Sequence, residues 1–263
     1  MAITAGLTAA PAQAADKIKY IALGDSYAAG QGAGAYQDAC YRSDNSYSEL
    51  AAEDKAVKLV VNAACSGKTT WDVVNTQLRQ LNKSTELVTI TAGGNNIGFG
   101  DIINYCGVVL AQLPPAPKCG GALEQAEIQL QSGQLKSDLV TMIQSVRAAA
   151  PNAKIVVTGY PYLLDPIPAG MTDPAAQFIY TATNLADRLD DTIDAAAKEA
   201  DAAAAGDPKV QYVDVRTVFL DHGALSPQPW INLGTAPDGF HPNAAGYQAY
   251  FKALSGSGVY SVP

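Results

Sequence analysis

Lys19-Tyr20-Ile21-Ala22-Leu23 runs directly into Gly24-Asp25-Ser26-Tyr27. The first five residues are a short, largely apolar run with β character, and the next four are turn chemistry, so a serine sits just past a strand end. Four more runs follow: Lys58–Asn62 (KLVVN), Leu87–Thr91 (LVTIT), Lys154–Thr158 (KIVVT) and Val210–Val215 (VQYVDV). Most are nearly continuous in apolar residues rather than alternating, as parallel strands covered on both faces should be. Between them lie helical patterns with apolar residues at spacings of three and four. Trp71–Leu81 carries Val74, Leu78 and Leu81; Leu135–Ala149 carries Leu135, Leu139, Met142, Ile143 and Val146. Thr181–Ala205 carries Leu185, Leu189, Ile193 and Ala197, with Gly206 and Pro208 as stops, and Ala244–Leu254 forms a last amphipathic stretch. Strands alternating with helices predict an α/β fold with a parallel sheet and right-handed crossovers.

The remaining chain bounds the function. At 263 residues, 48% hydrophobic and 16% charged, there is material for a sizeable core and too little charge for a disordered chain. The net charge of −8 argues against a general nucleic-acid binder. The two histidines, His222 and His241, exclude a histidine-rich metal site and narrow any search for a general base to two positions. Residues 1–15 (MAITAGLTAAPAQAA) are small and apolar, and Ala12-Gln13-Ala14 fits the signal-peptidase pattern. The basic start of a secretory signal is missing, so this stretch reads as the tail of one or as a disordered Ala-rich terminus. Residues 16–263 are expected to form one domain, with no later run apolar enough to cross a membrane.

Four cysteines (Cys40, Cys65, Cys106, Cys119) form no C-x-x-C spacing, which disfavours zinc and thioredoxin-type redox chemistry. Three pairings are possible. Cys40–Cys65 with Cys106–Cys119 is expected, because each bridge then staples a neighbouring loop. The Pro/Gly-rich stretches 98–121 and 161–174 read as long loops after strands three and four.

Ligands of open α/β sheets bind beyond the carboxyl ends of the strands, so the residues there are the candidate chemistry. Strand one leads to Ser26, strand two to Cys65-Ser66-Gly67-Lys68, and strand three to Gly93-Gly94-Asn95-Asn96; Asp238-Gly239-Phe240-His241 precedes the last helix. These are the parts of an acyl-transfer site. Ser26 is a candidate nucleophile and His241 a base, with Asp238 three residues earlier able to orient the imidazole. Gly67 offers a backbone N–H free of side-chain obstruction, and Asn95 a side-chain amide, as oxyanion donors alongside the Ser26 N–H. His222, beside Asp221, suits a structural role, and Asp25 is expected to brace its own loop.

In this order the four blocks resemble the SGNH hydrolases, or GDSL lipase/esterase family, in its secreted, disulfide-containing bacterial branch. Gly24-Asp25-Ser26-Tyr27 matches the first block, with Tyr27 where the name has Leu. Gly67, Gly93-Gly94-Asn95 and Asp238-x-x-His241 match the second, third and fifth. The resemblance, over residues 19–252, implies a three-layer α/β/α, flavodoxin-like fold with a five-stranded parallel sheet. It implies a secreted serine esterase or lipase, monomeric, with no metal or organic cofactor and a small-molecule or lipid ester as its partner. Some members orient the histidine by a backbone carbonyl, which leaves the role of Asp238 open. Asn96 departs from a frequent Asp, and the Asp221–Trp230 segment lacks a cysteine that some secreted relatives carry. Ile102, Ile103, Val108, Val109, Leu110 and Leu113, with Tyr160, Tyr162, Leu163 and Leu164, are candidates to line an acyl groove. Polysaccharide deacylation and a non-catalytic binding module on the same scaffold are the alternatives.

Overall fold

The computed structural model describes residues 17–54, 57–204, 209–234 and 237–261. The Ala-rich start, Ala205 and the stops Gly206 and Pro208 lie outside them. The five strands are β1 (Ile18–Gly24), β2 (Val57–Asn62), β3 (Leu87–Thr91), β4 (Lys154–Thr158) and β5 (Val210–Val213). They form one parallel sheet in the order β2-β1-β3-β4-β5. This is the flavodoxin-like arrangement, whose switch point lies between β1 and β3.

Burial follows position in the sheet. β3 is buried throughout, and β1 and β4 are buried after their first residue or two, as their apolar runs predict. The edge strands differ: β2 alternates, with Val60 exposed, and β5 buries only its ends. Coverage on both faces therefore belongs to the three central strands. Thr91 and Thr158 meet on one face, Oγ1 to Oγ1 at 2.6 Å, and the Tyr47 and Tyr250 hydroxyls join them at 2.9 and 2.8 Å. The buried hydroxyls are thereby paired with one another.

Among the described residues there are eight α-helices: α1 (Ser26–Ala29), α2 (Tyr47–Glu53), α3 (Thr70–Asp72), α4 (Phe99–Cys106), α5 (Cys119–Gln131), α6 (Gln134–Ala149), α7 (Pro174–Ala203) and α8 (Ala244–Gly256). α6 packs on α7, and α2 on α8. α7 begins earlier than its apolar stripe suggests, because Asp173 caps the Ala176 N–H and Pro174 occupies the first turn, where no N–H is needed.

Two sequence expectations need correction. The Trp71–Leu81 stretch is not a regular helix: α3 passes into a π-helical turn over Val73–Gln77 and a 3₁₀ turn over Leu78–Gln80. The wide turn accompanies an inward-facing Gln77, whose amide accepts from Gly24 N–H and donates to Gly24 C=O, both at 2.8 Å. That polar pairing closes the end of β1 and outweighs regular helix geometry. The 98–121 stretch is not a plain loop either. Its glycines begin and end α4, with Gly98 in the left-handed region, while Ile102, Ile103 and Cys106 turn a buried face inward. The Cys106–Cys119 disulfide ties the end of α4 to the start of α5.

Candidate active site

Ser26 is placed by the abrupt end of β1. Gly24 has φ +128°, and a Cβ there would lie 2.1 Å from the Thr91 carbonyl oxygen, so only glycine permits this approach. Asp25 N–H then donates to that same carbonyl at 2.9 Å, and the Asp25 carboxylate accepts from Tyr27 N–H at 3.0 Å, capping α1. The chain turns at once, and Ser26 becomes the first helical residue with its hydroxyl at the cleft.

The structure brings Ser26 and His241 together across 215 residues: His241 Nε2 lies 2.8 Å from Ser26 Oγ. The other ring nitrogen, Nδ1, lies 3.0 Å from the Gly239 carbonyl. Asp238 does not make that contact. The turn closed by His241 N–H on Asp238 C=O, at 3.3 Å, brings the Gly239 carbonyl to Nδ1, while the Asp238 carboxylate accepts from Tyr36 OH at 2.6 Å. Burial lowers the His241 pKa from 6.5 to about 4, against the opposing pull of the Gly239 carbonyl and the Asp238 charge.

The histidine loop is held on several sides. Tyr27 OH donates to Phe240 C=O at 2.6 Å, and its ring lies 5.1 Å from the imidazole. Phe240 itself has φ +56°, an uncommon conformation that this bond and the Phe240 N–H to Asn232 C=O bond at 2.8 Å hold in place. Gly32 comes so close that a Cβ would lie 2.4 Å from Pro242 O and 2.8 Å from His241 Cβ.

The oxyanion candidates come from neighbouring loops. Asn95 Nδ2 donates one hydrogen to Lys68 C=O at 2.9 Å, joining the loop after β3 to the loop that carries Gly67. An amide nitrogen carries two hydrogens, so one remains available. Gly67 has φ +77° with open space where a Cβ would point. Among the described residues, the N–H groups of Ser26 and Gly67 make no hydrogen bond within the protein. The Cys40–Cys65 disulfide anchors this loop two residues before Gly67, and Ser66 N–H adds a bond to Cys40 C=O at 3.1 Å. Asn96 accepts from Thr70 N–H at 3.1 Å and donates to its hydroxyl at 2.8 Å, a two-way pairing that suits an amide.

Beside Ser26 opens a cavity of about 260 Å³. Ser26, Asn95 and His241 line it; Gly67 and Asp238 do not. Its apolar wall is made by Ile97, Phe99, Ile103, Leu163 and Leu189, with Ala186 and Tyr160. Of the expected groove residues, only Ile103, Tyr160 and Leu163 take part. Ile102 and Val109 pack into the core, Leu113 points to solvent, Leu164 lies behind the wall, and Tyr162 donates to Asp187. Sequence reasoning missed the α7 contribution because Leu189 belongs to the stripe of an ordinary core-facing helix. It also missed the hydroxyls of Tyr27 and Tyr160, which periodicity reads as apolar bulk.

His222 stands apart from the cavity, stacked on Trp230 at 3.5 Å with Nδ1 at 2.8 Å from Gln228 C=O. That stack, with Trp230 N–H bonded to His222 C=O, holds together the segment that lacks a cysteine. Among the described residues no cluster of His, Cys, Asp or Glu could hold a metal ion, and no helix is long and apolar enough to cross a membrane.

Known proteins resemble this chain in sequence and in fold. The profile of the GDSL-like lipase/acylhydrolase family matches residues 22–249. Lipase 1 of Streptomyces coelicolor is 35% identical, over 97% of this chain and 92% of that protein. The crystal structure of an extracellular lipase from Streptomyces rimosus superimposes with a TM-score of 0.78 at 30% identity, covering 90% of this chain and 98% of that one. Phospholipase A1 from Streptomyces albidoflavus NA297 gives 0.75 at 32% identity, covering 92% and 99%. With both disulfides and the five-stranded parallel sheet in place, the chain belongs to the GDSL-like lipase/acylhydrolase family of ester hydrolases.

Proposed function

We propose that this ester hydrolase is a secreted serine enzyme acting on lipid or other aliphatic acyl esters, with residues 16–263 as its catalytic domain. The observation that carries the reading is the 2.8 Å contact of His241 Nε2 with Ser26 Oγ at the edge of an apolar cavity. His241 takes the hydroxyl proton as Ser26 Oγ attacks the ester carbonyl. The developing oxyanion is met by the Ser26 and Gly67 N–H groups and the second hydrogen of the Asn95 amide, each such donor typically contributing about 10²–10³ in turnover. His241 passes its proton to the leaving alcohol. It then deprotonates a water that attacks the acyl-enzyme, releasing the acid and restoring Ser26. The cycle uses no metal or organic cofactor.

In this scheme the Gly239 carbonyl fixes the imidazole tautomer by its dipole, and Asp238 adds charge from the flank. A histidine held near pKa 4 resists protonation in the free enzyme. The negative tetrahedral intermediate beside it favours the imidazolium, so the proton is accepted when it is needed. The wall of leucine, isoleucine and phenylalanine suits an acyl chain and offers few partners to sugar hydroxyls, which supports a lipid ester over a polysaccharide ester. The likeness to a phospholipase A1 brings phospholipid acyl esters within the class, and the two disulfides support export.

Labelling with a fluorophosphonate and mapping the modified peptide tests the nucleophile, with Ser26 the expected site. Ser26→Ala and His241→Ala should each remove nearly all turnover, with the double variant little worse. Modification elsewhere, or loss of activity in His222→Ala with His241→Ala intact, overturns the assignment.

A further inference from the structure

Tyr160 takes no part in the proton transfers, yet its hydroxyl stands between the two halves of the site. It donates to Asp25 Oδ2 at 2.5 Å and accepts from Gly94 N–H at 2.9 Å. Asp25 immediately precedes Ser26, and Gly94 immediately precedes Asn95. We propose that Tyr160 is a positioning residue that sets the distance between nucleophile and oxyanion donors through the chain Ser26–Asp25–Tyr160–Gly94–Asn95, an inference resting on the Ser26 and Asn95 roles proposed above.

The hydroxyl is engaged both as donor and as acceptor. The single hydroxyl proton goes to Asp25, a lone pair receives the Gly94 N–H, and the other Asp25 oxygen is taken by Tyr27 N–H. Both acid and tyrosine are buried, where such bonds are stronger than at an exposed surface. Burial raises the Asp25 carboxyl pKa to about 7, while the hydrogen bonds from Tyr160 and the Tyr27 N–H favour its charged form. The ring is also fixed in place. Tyr160 N–H donates to the buried Asp190 carboxylate at 2.9 Å, and Tyr27 meets the ring edge-on at 5.0 Å. A Cβ on Gly94 would lie 3.3 Å from the hydroxyl end of the ring, so the Asn95 loop rests on Tyr160 by contact as well. From Asn95 the chain continues through Lys68 C=O to the Gly67 loop, which brings all three donor segments into one connected set.

A clamp of this kind acts on the transition state, and Tyr160→Phe keeps the ring that forms part of the apolar wall. Tyr160→Phe should therefore lower kcat on a soluble short-chain ester by about ten- to a hundredfold, less than deleting a donor outright. KM should stay within about threefold of wild type. Inhibition by an alkyl boronic acid, whose tetrahedral adduct on Ser26 uses the same donors, should weaken by the same factor as kcat/KM. A purely structural tyrosine would lower the melting temperature without that parallel. Asp25→Asn serves as a second variant should the first not fold. Its amide can satisfy Tyr160 or the Tyr27 N–H but not both, so it should show the same kcat loss. Wild-type kcat and boronate affinity in either folded variant, with Ser26→Ala inactive, overturns the clamp and leaves the nucleophile assignment standing. Activity in Ser26→Ala would instead remove the reading beneath it.

Discussion

The Gly239 carbonyl at His241 Nδ1 separates two contributions that a triad carboxylate would combine, tautomer and charge. A carbonyl fixes the tautomer as well as a carboxylate does but stabilises the imidazolium only by its dipole. Asp238, bonded to Tyr36 OH instead, can supply charge alone. Asp238→Asn should therefore lower kcat by about tenfold or less, against the roughly 10⁴-fold loss where the carboxylate holds the ring. Steady-state kinetics in a variant with a native melting curve decides, and a loss as deep as that of His241→Ala would return Asp238 to the centre of the site. The depressed His241 pKa makes a second prediction. As the proposed base, His241 works only when neutral, and burial keeps it neutral down to about pH 4. The acid limb of kcat/KM, which reports the free enzyme, should then fall near pH 4 rather than near 6.5. A profile losing activity with a midpoint near the ordinary histidine value would contradict the burial argument. At this scale the sequence revealed which residue types meet, because serine, asparagine and histidine each follow a strand or precede a helix. It could not reveal that Asp238 turns away, since a carboxylate and a backbone carbonyl two residues before a histidine have nearly the same reach.

Among the elements, those whose burial is uniform were the legible ones. β3 and the later part of β4 present only buried residues, and α6 and α7 keep one apolar stripe, so period and position agree. The failures occur where a polar group decides geometry. Gln77 turned inward toward Gly24 goes with the π-helical turn, and a glutamine in a helical window carries no sign of that. α5 buries only Ala126 fully, so its sequence had almost no stripe to read. The two disulfides also divide by element. Cys40–Cys65 anchors the Gly67 loop, whereas Cys106–Cys119 ties α4, a wall of the cavity, to α5. Either bridge constrains the unfolded chain by about 3 kcal/mol in the chain-entropy account, so stability alone will not tell them apart. Activity should. The Cys40→Ser/Cys65→Ser pair should lose kcat even on a short soluble ester, and the Cys106→Ser/Cys119→Ser pair should keep it and bind long-chain esters less well. Equal effects of the two pairs on short-ester kcat would show that the first bridge does not act on the proposed oxyanion loop.

For the molecule as a whole, the cavity is the feature least visible in sequence, because no single segment owns it. Its walls come from the Ser26 turn, the loop and helix after β3, the segment after β4, the middle of α7 and the histidine loop. The general rule that ligands lie beyond the carboxyl ends of strands β1 and β3 located the mouth, and only the packed structure shows which apolar residues turn toward it. α7 is the informative wall. Leu189 and Ala186 face the cavity from a helix that otherwise serves the core, and Ala186 also borders the small apolar space behind Phe99, Ile103 and Leu163. If this wall sets the length of acyl chain that fits, enlarging one small residue on it should change length preference without touching the chemistry proposed at Ser26. Ala186→Leu replaces a methyl group by an isobutyl group pointing into a space of about 260 Å³. Short acyl esters, whose chains stay near Ser26, should retain wild-type kcat. The optimum should move to shorter chains, with kcat/KM for the longest esters falling by about tenfold or more, as a few displaced methylenes at roughly 0.8 kcal/mol each imply. Overpacking is the competing outcome, and it costs typically about 1–3 kcal/mol of stability, so thermal melting must accompany the kinetics. A folded Ala186→Leu enzyme with an unchanged chain-length profile would show that the acyl chain lies elsewhere than between α4 and α7.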